Sequence, residues 1–442
     1  MAKVGMISLG CPKNQVDAEL MLAKLQSAGH EIKSEVYDCD AVIINTCGFI
    51  EDAKREAIDN ILEMIDSKEA GEIKKIIVTG CLAERYREEI LAEMPEIDAV
   101  VGIGNNGNIA DILEQTLESE TPVIAIGEKE ALPLCGQRLL TTPEYWAYLK
   151  VADGCSNRCT YCAIPGIRGP QRSRPLEECV EEARALAADG VKELIIIAQD
   201  TTRYGEDLYG KPSLDRLLTE LCRIDGLRWL RVLYCYPDSI TDELIEVMAR
   251  EPKVLHYIDL PLQHCNSAIL KRMHRRGDRE SLTALLHKIK EKMPDVIFRS
   301  TFITGFPGET EEQFEELAEF AEAIHFQRLG CFPYSQEENT PAAKMPDQVD
   351  DEIKQRRADI IMAHQQNVMA EYCESLSGTE VEVLVEGFDR LIGCWFGRTY
   401  ADAPEVDGCV FFTAESKRPS PGDFVTVKIT DTMGIDPVGE LV

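Results

Sequence analysis

The chain has 442 residues, 44% of them hydrophobic and 28% charged, an ordinary globular composition with room for about three domains. No apolar run approaches the ~20 residues that span a bilayer, and the start, Met-Ala-Lys-Val-Gly-Met-Ile-Ser-Leu-Gly, has no basic region leading into an apolar stretch, so a cytoplasmic protein with no membrane partner is expected. Sixteen cysteines in such a chain are expected as ligands, not disulfides, and a formal charge of −31 repels phosphate backbones and attracts basic partners, unless it serves only solubility.

Residues 1–120 read as alternating strands and helices. Val4–Leu9, Ala41–Asn45, Lys75–Thr79 and Ala99–Ile103 are short apolar runs that end at turn residues, as buried parallel strands do. Val16–Ala28 and Lys54–Asp66 carry apolar residues at helical spacing, so a doubly wound α/β domain is predicted. Gly102-Ile-Gly104-Asn-Asn-Gly107, with Glu128 further on, matches a dinucleotide-binding pattern. It follows the fourth strand instead of opening the domain, so a turn leading into the next helix is the better reading.

After a linker, Leu140-Thr-Thr-Pro-Glu144, βα units recur over residues 141–373. Tyr145–Lys150, Leu194–Ala198, Trp229–Leu233, Tyr257–Leu260, Phe298–Ile303 and Arg328–Pro333 are the strands, and the pattern suggests a full or partial barrel with chemistry at the strand C-termini. An amphipathic helix runs from Asp351 to about Ser375. Residues 374–442 change to period-two alternation (Val381, Val383, Val385; Val425, Val427, Ile429), which predicts a small all-β barrel.

Cys155, Cys159 and Cys162 stand in Gly154-Cys-Ser-Asn-Arg-Cys-Thr-Tyr-Cys-Ala163. Three thiolates at this spacing can hold three corners of a 4Fe–4S cluster and leave one iron open for a small molecule. A structural zinc site needs a fourth protein ligand, usually from a second pair, and none follows nearby. Buried core thiols are the remaining alternative, though the polar, glycine-flanked run is poor core material. Cys11, Cys47 and Cys81 are far apart, yet each ends a predicted strand. An open parallel sheet binds its ligands at that edge, so a second metal cluster is expected there. The other ten cysteines are read as small core residues.

With both triads in view, the chain resembles the radical S-adenosylmethionine methylthiotransferases over essentially its whole length. The resemblance implies an N-terminal methylthiotransferase domain, a central radical partial barrel and a C-terminal OB-like TRAM module. It further implies S-adenosylmethionine and two 4Fe–4S clusters, one on Cys155, Cys159 and Cys162, the other on Cys11, Cys47 and Cys81. The first binds the cofactor, whose one-electron cleavage yields a 5′-deoxyadenosyl radical; the second is expected to hold the sulfur to be transferred. Ser8-Leu-Gly-Cys-Pro-Lys-Asn14, Pro261-Leu-Gln-His264 and Ala401-Asp-Ala-Pro-Glu-Val-Asp-Gly408 are similar to the protein-directed branch, which methylthiolates the β-carbon of an aspartate in small-subunit ribosomal protein S12. Residues 374–442 hold five Lys and Arg against thirteen Asp and Glu, a net of −8, where an RNA-gripping module should be basic.

Within that frame, Gln199, Asp200 and Thr201 end a strand and can hydrogen-bond the cofactor's amino or ribose groups. Gly305, Pro307, Gly308 and Glu309 follow another strand as a loop for close approach to the nucleoside, or as a helix start capped by Thr310. Tyr161 packs on the adenine or shields the cluster. Arg168, Arg172 and Arg174 either pair with a carboxylate of cofactor or substrate or lie solvated. A low-potential electron donor and the iron–sulfur assembly machinery are expected partners; a monomer is expected, and stable RNA binding is not. A transfer-RNA adenosine methylthiotransferase and a non-catalytic iron–sulfur carrier are the competing readings.

Overall fold

The computed structural model describes residues 1–414 and 418–442. The N-terminal unit is a parallel sheet of β1 (Lys3–Ser8), β2 (Glu31–Lys33), β3 (Cys39–Thr46), β4 (Ile73–Gly80), β5 (Ala99–Val101) and β6 (Val123–Ala125), in the order β2-β1-β3-β4-β5-β6. Successive residues point to opposite faces. Ile43 and Ile77 meet Met21 and Leu113 of helices α1 (Pro12–Ser27) and α4 (Ile109–Glu118). Val42, Ile44, Ile76 and Val78 meet Ile61 and Ile90 of α2 (Glu51–Glu69) and α3 (Cys81–Glu93). The sheet is doubly wound, and β1 lies between β2 and β3, the switch point where such sheets open a crevice. Sequence periodicity missed β2 and β6: three-residue edge strands carry too few residues to show it. Because β6 pairs with β5, this unit extends past its expected end at residue 120. The glycine motif at 102–107 forms a 3-10 turn, Ile103–Asn108, leading into α4.

The central sheet is also parallel, with β7 (Trp146–Lys150), β10 (Glu193–Ile197), β11 (Trp229–Val232), β12 (Val254–Asp259), β13 (Ile297–Thr304) and β14 (Arg328–Pro333) in the order β14-β13-β12-β11-β10-β7. It is an open, partial barrel. Two-residue strands β8 (Ala152–Asp153) and β9 (Arg172–Ser173) pair antiparallel and pinch the base of the first cysteine loop. Leu149, Leu194, Ile196, Leu230 and Val232 face the surrounding helices. On the inner face, Tyr148, Ile195, Trp229 and Tyr257 pack against Val16 and Leu20 of α1 and against Leu384, Ala401 and Ala403 from the C-terminal unit.

That last unit is a closed barrel of β15 (Glu380–Asp389), β16 (Cys394–Arg398), β17 (Val410–Thr413), β18 (Phe424–Met433) and β19 (Asp436–Leu441), with Val383, Val385, Val427 and Ile429 inward. It docks through buried charges. Glu193 accepts from Arg231 at 2.8 Å and from Arg398 at 2.7 Å; Arg328 pairs with Asp402 at 2.5 Å; Tyr257 donates to Asp407 at 2.6 Å. Part of the barrel's acidity is therefore spent within the chain instead of facing a partner. No helix among the described residues is long and apolar enough to cross a membrane.

Candidate functional site

Both cysteine triads line one cavity of ≈ 300 Å³ between the N-terminal and central sheets. Strands β1, β3 and β4 are neighbours, so their C-terminal ends place Cys11, Cys47 and Cys81 along one edge. Two glycines make the crowding possible. Gly10 has φ +89, and a Cβ there would sit 2.9 Å from Cys47 Sγ; Gly80 has φ +94, and a Cβ there would sit 2.4 Å from the Thr46 carbonyl. Asn14 fastens the edge: its Nδ2 donates to the carbonyls of Leu9 at 2.9 Å and Thr46 at 3.0 Å.

The second triad sits on the loop after β8. Cys155 N–H donates to the Gly169 carbonyl at 3.1 Å, and Thr160 N–H to that of Met273 at 3.0 Å, fixing the loop to its surroundings independently of any ligand. Arg158 in this loop has φ 54, and Tyr234 and Gln263 on the cavity wall have φ 63 and 70. Three non-glycine residues in the left-handed region around one chamber are strain of the kind that collects at functional sites.

Burial pushes the Cys47 thiol up to about 12, Cys155 to about 11 and Cys162 to about 12, and it raises Cys81 as well. Burial acts the same way on Cys11, but the Lys13 ammonium and the Arg168 guanidinium outweigh it and hold that thiol below its ordinary value. Metal coordination is what converts buried thiols of this kind to thiolates. Among the described residues no three His, Cys, Asp or Glu side chains converge on a point where one ion would sit; the thiols face a shared space. Soft sulfur donors around a chamber fit an iron–sulfur cluster. Beside them, Gln199 Nε2 and Oε1 and Gln263 Oε1 are buried with no hydrogen-bond partner among the described residues and suit a polar organic ligand.

Tyr161 and Gln199 line the cavity. Asp200 does not: it accepts from Thr202 at 2.6 Å and from Asn157 at 2.7 Å, and so orients Asn157, which does. Thr201 turns away and donates to the Leu233 carbonyl at 2.8 Å. The Gly305, Pro307, Gly308 and Glu309 loop is absent from the cavity wall. Gly305 N–H donates to the Glu309 carboxylate at 3.0 Å, Glu309 pairs with Arg357 at 2.8 Å, and a Cβ on Gly308 would meet Arg272. Thr310 caps the helix Glu311–Ile324 through a capping box with Gln313. Sequence reasoning passed over Lys13, Tyr234, Tyr236 and Arg275; Tyr234 and Tyr236 follow β11, so the rule that chemistry gathers at strand C-termini would have pointed to them.

Each of the three arginines is engaged by groups of this chain. Arg168 pairs with Asp153 at 2.7 Å and Asp17 at 2.9 Å, and its Nη2 lies 3.7 Å from Cys81 Sγ. Lys150 joins the same two carboxylates. Arg174 pairs with Glu182 at 2.6 Å, and Arg172 donates to the carbonyls of Glu130 and Leu132. The Arg168 network clamps α1 to the central sheet. Arg168→Met should therefore leave two buried carboxylates facing one ammonium and destabilise the fold by roughly 3–5 kcal/mol. Urea denaturation of the metal-free protein reads this directly, and an unchanged midpoint would mean that the network carries no net stability.

A second cavity of ≈ 520 Å³ shares Phe49, Tyr161 and Gln263 with the first, and Glu51, Asp52, Phe332 and Glu337 lie along it.

Family models match three segments: the uncharacterized protein family UPF0004 over residues 3–102, the Radical SAM superfamily over 149–321 and the TRAM domain over 378–442. The ribosomal protein uS12 methylthiotransferase RimO of Lachnoclostridium phytofermentans is 47% identical and that of Desulforamulus reducens 48%, covering 99% and 100% of both chains respectively. The radical S-adenosylmethionine methyltransferase TsrM of Kitasatospora setae, solved with cobalamin and a 4Fe–4S cluster, shares the fold at a TM-score of 0.59 and 15% identity, over 77% of this chain and 76% of that one. With near-half identity along its entire length, the chain belongs to the RimO family of radical S-adenosylmethionine methylthiotransferases.

Proposed function

We propose that this enzyme adds a methylthio group to the β-carbon of an aspartate in ribosomal protein uS12, using one S-adenosylmethionine as methyl donor and another as radical source. Residues 1 to about 125 form the methylthiotransferase unit, 141–373 the radical unit and 374–442 the TRAM barrel. Cys155, Cys159 and Cys162 hold one 4Fe–4S cluster, and Cys11, Cys47 and Cys81 hold the other. When bound, the clusters and S-adenosylmethionine supply the electron and the radical that removes hydrogen from an unactivated carbon.

The chain's own part is placement. Gln199 offers the cofactor an amide donor and acceptor that no described residue uses, Asn157 is held in the same wall by Asp200, and Tyr161 and Tyr236 line it. The observation that carries the reading is that both triads line one chamber. Sulfur held on the N-terminal edge then meets the substrate carbon without crossing solvent. The net charge of −31 suits a basic ribosomal protein better than a phosphate backbone. A low-potential electron donor and iron–sulfur assembly proteins complete the partners, in the cytoplasm.

Anaerobically reconstituted protein, incubated with reductant, S-adenosylmethionine and purified uS12, should add one methylthio group to a single aspartate, read by mass spectrometry of the digested product. Methylthioadenosine in transfer RNA treated in parallel, with uS12 unmodified, would move the chain to the transfer-RNA reading.

A further inference from the structure

The cavity wall carries three cations, Lys13, Arg168 and Arg275, and no Asp or Glu, in a chain of net charge −31. Two of the three are accounted for. Arg168 is matched by Asp17 and Asp153. Arg275 lies over the Tyr236 ring at 4.1 Å and donates to the Pro261 carbonyl at 2.7 Å and to the Tyr161 hydroxyl at 3.3 Å. Lys13 is different. It is 6% exposed, and among the described residues its ammonium has neither a hydrogen-bond acceptor nor a carboxylate within ion-pair reach. Its Nζ rests 3.1 Å from the centroid of the Tyr234 ring. Burial disfavours this ammonium, and the Cys11 sulfur together with the more distant Asp259 and Asp153 carboxylates offsets the cost only in part, so an anion reaching it is strongly attracted.

The ring that seats it is held in place. Tyr234 has φ 63, a conformation rarely adopted by an aromatic residue. The Asp259 carboxylate accepts its N–H at 2.9 Å, and Asp259 is itself paired with Arg299 at 2.8 Å. Packing from the central sheet thus fixes the platform under a lysine that the N-terminal unit supplies.

We propose that Lys13 binds the side-chain carboxylate of the substrate residue and so determines specificity for aspartate. The inference rests on the function proposed above and adds the group that recognises its substrate. Lys13 is two residues from Cys11, on the edge expected to hold the sulfur. In an aspartate the β-carbon that accepts sulfur is bonded directly to the carboxylate carbon, so presenting that carbon to the Cys11 side carries the carboxylate to the neighbouring cation. A charge-assisted bond in a buried site discriminates strongly against a neutral analogue. A nucleobase, with no carboxylate, would offer the ammonium at most a neutral acceptor.

The test compares the holoenzyme with Lys13→Gln and Lys13→Arg holoenzymes. Each is titrated with uS12 and with uS12 carrying Asn in place of the aspartate that the wild-type enzyme modifies. Iron content and S-adenosylmethionine affinity are measured in the same preparations. The wild-type enzyme should prefer the Asp form by on the order of 10- to 100-fold. Lys13→Gln should bind both forms alike while keeping its iron and its cofactor affinity, and Lys13→Arg should recover part of the preference. An undiminished Asp preference in Lys13→Gln overturns the proposal. So does a loss of S-adenosylmethionine affinity with the Asp preference intact, which would assign Lys13 to the cofactor's carboxylate. Loss of iron in Lys13→Gln would assign it to balancing the Cys11 thiolate and overturn the proposal equally. A wild-type enzyme that neither binds nor modifies uS12 would instead defeat the underlying function, an outcome visible before any variant is examined.

Discussion

Replacing Cys155, Cys159 and Cys162 together by alanine should cut the iron of the reconstituted protein from about eight to about four per chain, the content of one remaining 4Fe–4S cluster, and abolish 5′-deoxyadenosine formation. The loss should stop at half because the two triads hang on separate supports. The Cys155–Cys162 loop is tied by backbone hydrogen bonds to Gly169 and Met273, whereas the other triad depends on the β1, β3 and β4 strand ends and on Asn14. Iron and sulfide analysis beside a chromatographic assay for 5′-deoxyadenosine decides it. Full retention of iron in the triple variant would mean that these three thiols are not the ligands.

Replacing Cys11, Cys47 and Cys81 by alanine should also halve the iron, with a different functional result. Reductive cleavage of S-adenosylmethionine should remain measurable, and methylthio transfer to uS12 should fall below detection. The contrast follows from the chamber's two walls: one carries the radical-domain loop with Gln199 and Tyr161, the other Cys11, Cys47 and Cys81. If cleavage disappeared from a variant that kept its cluster on the radical-domain loop, the N-terminal triad would be needed for the radical step itself and could not be a sulfur depot alone. Far-ultraviolet circular dichroism and the iron count of each preparation separate that result from simple unfolding.

Each cysteine triad was readable as a set of neighbours because its positions depend on local rules, while the meeting of the two triads in one chamber was not. Three share a loop, and three stand where a parallel sheet ends its strands. The strands of the two parallel sheets were readable where apolar runs pass through the core, as in Ile43–Ile44 or Ile195–Ile196, and failed at the three-residue edges β2 and β6; in the C-terminal barrel, β16, β17 and β19 were not read. What sequence could not supply was direction. Asp200 and Thr201 adjoin Gln199, yet the pleat and the turn after β10 aim only Gln199 into the chamber. The Gly305–Glu309 loop looked like a nucleoside cradle because glycines permit close approach, and the close approach is to Arg272 and Lys354 of the same chain. Arg168 was left open between pairing with a ligand carboxylate and lying solvated, and only the docking of α1 on the central sheet surrounds it with Asp17 and Asp153. Lys13 stood in a quoted motif without a role, since its lack of a directly paired carboxylate among the described residues is a property of the assembled fold.

The buried charges that join the C-terminal barrel to the central sheet also set an order on synthesis. Until Arg398 and Asp402 leave the ribosome, Glu193, Arg231 and Arg328 lie on a sheet face that lacks its covering loop, with too few partners to be buried cheaply. The inner face of the partial barrel, and with it the Tyr257–Asp407 contact, can close only once residue 407 has been made. A chain cut short before residue 402 therefore exposes, at Arg328, a charge that the folded protein buries against Asp402.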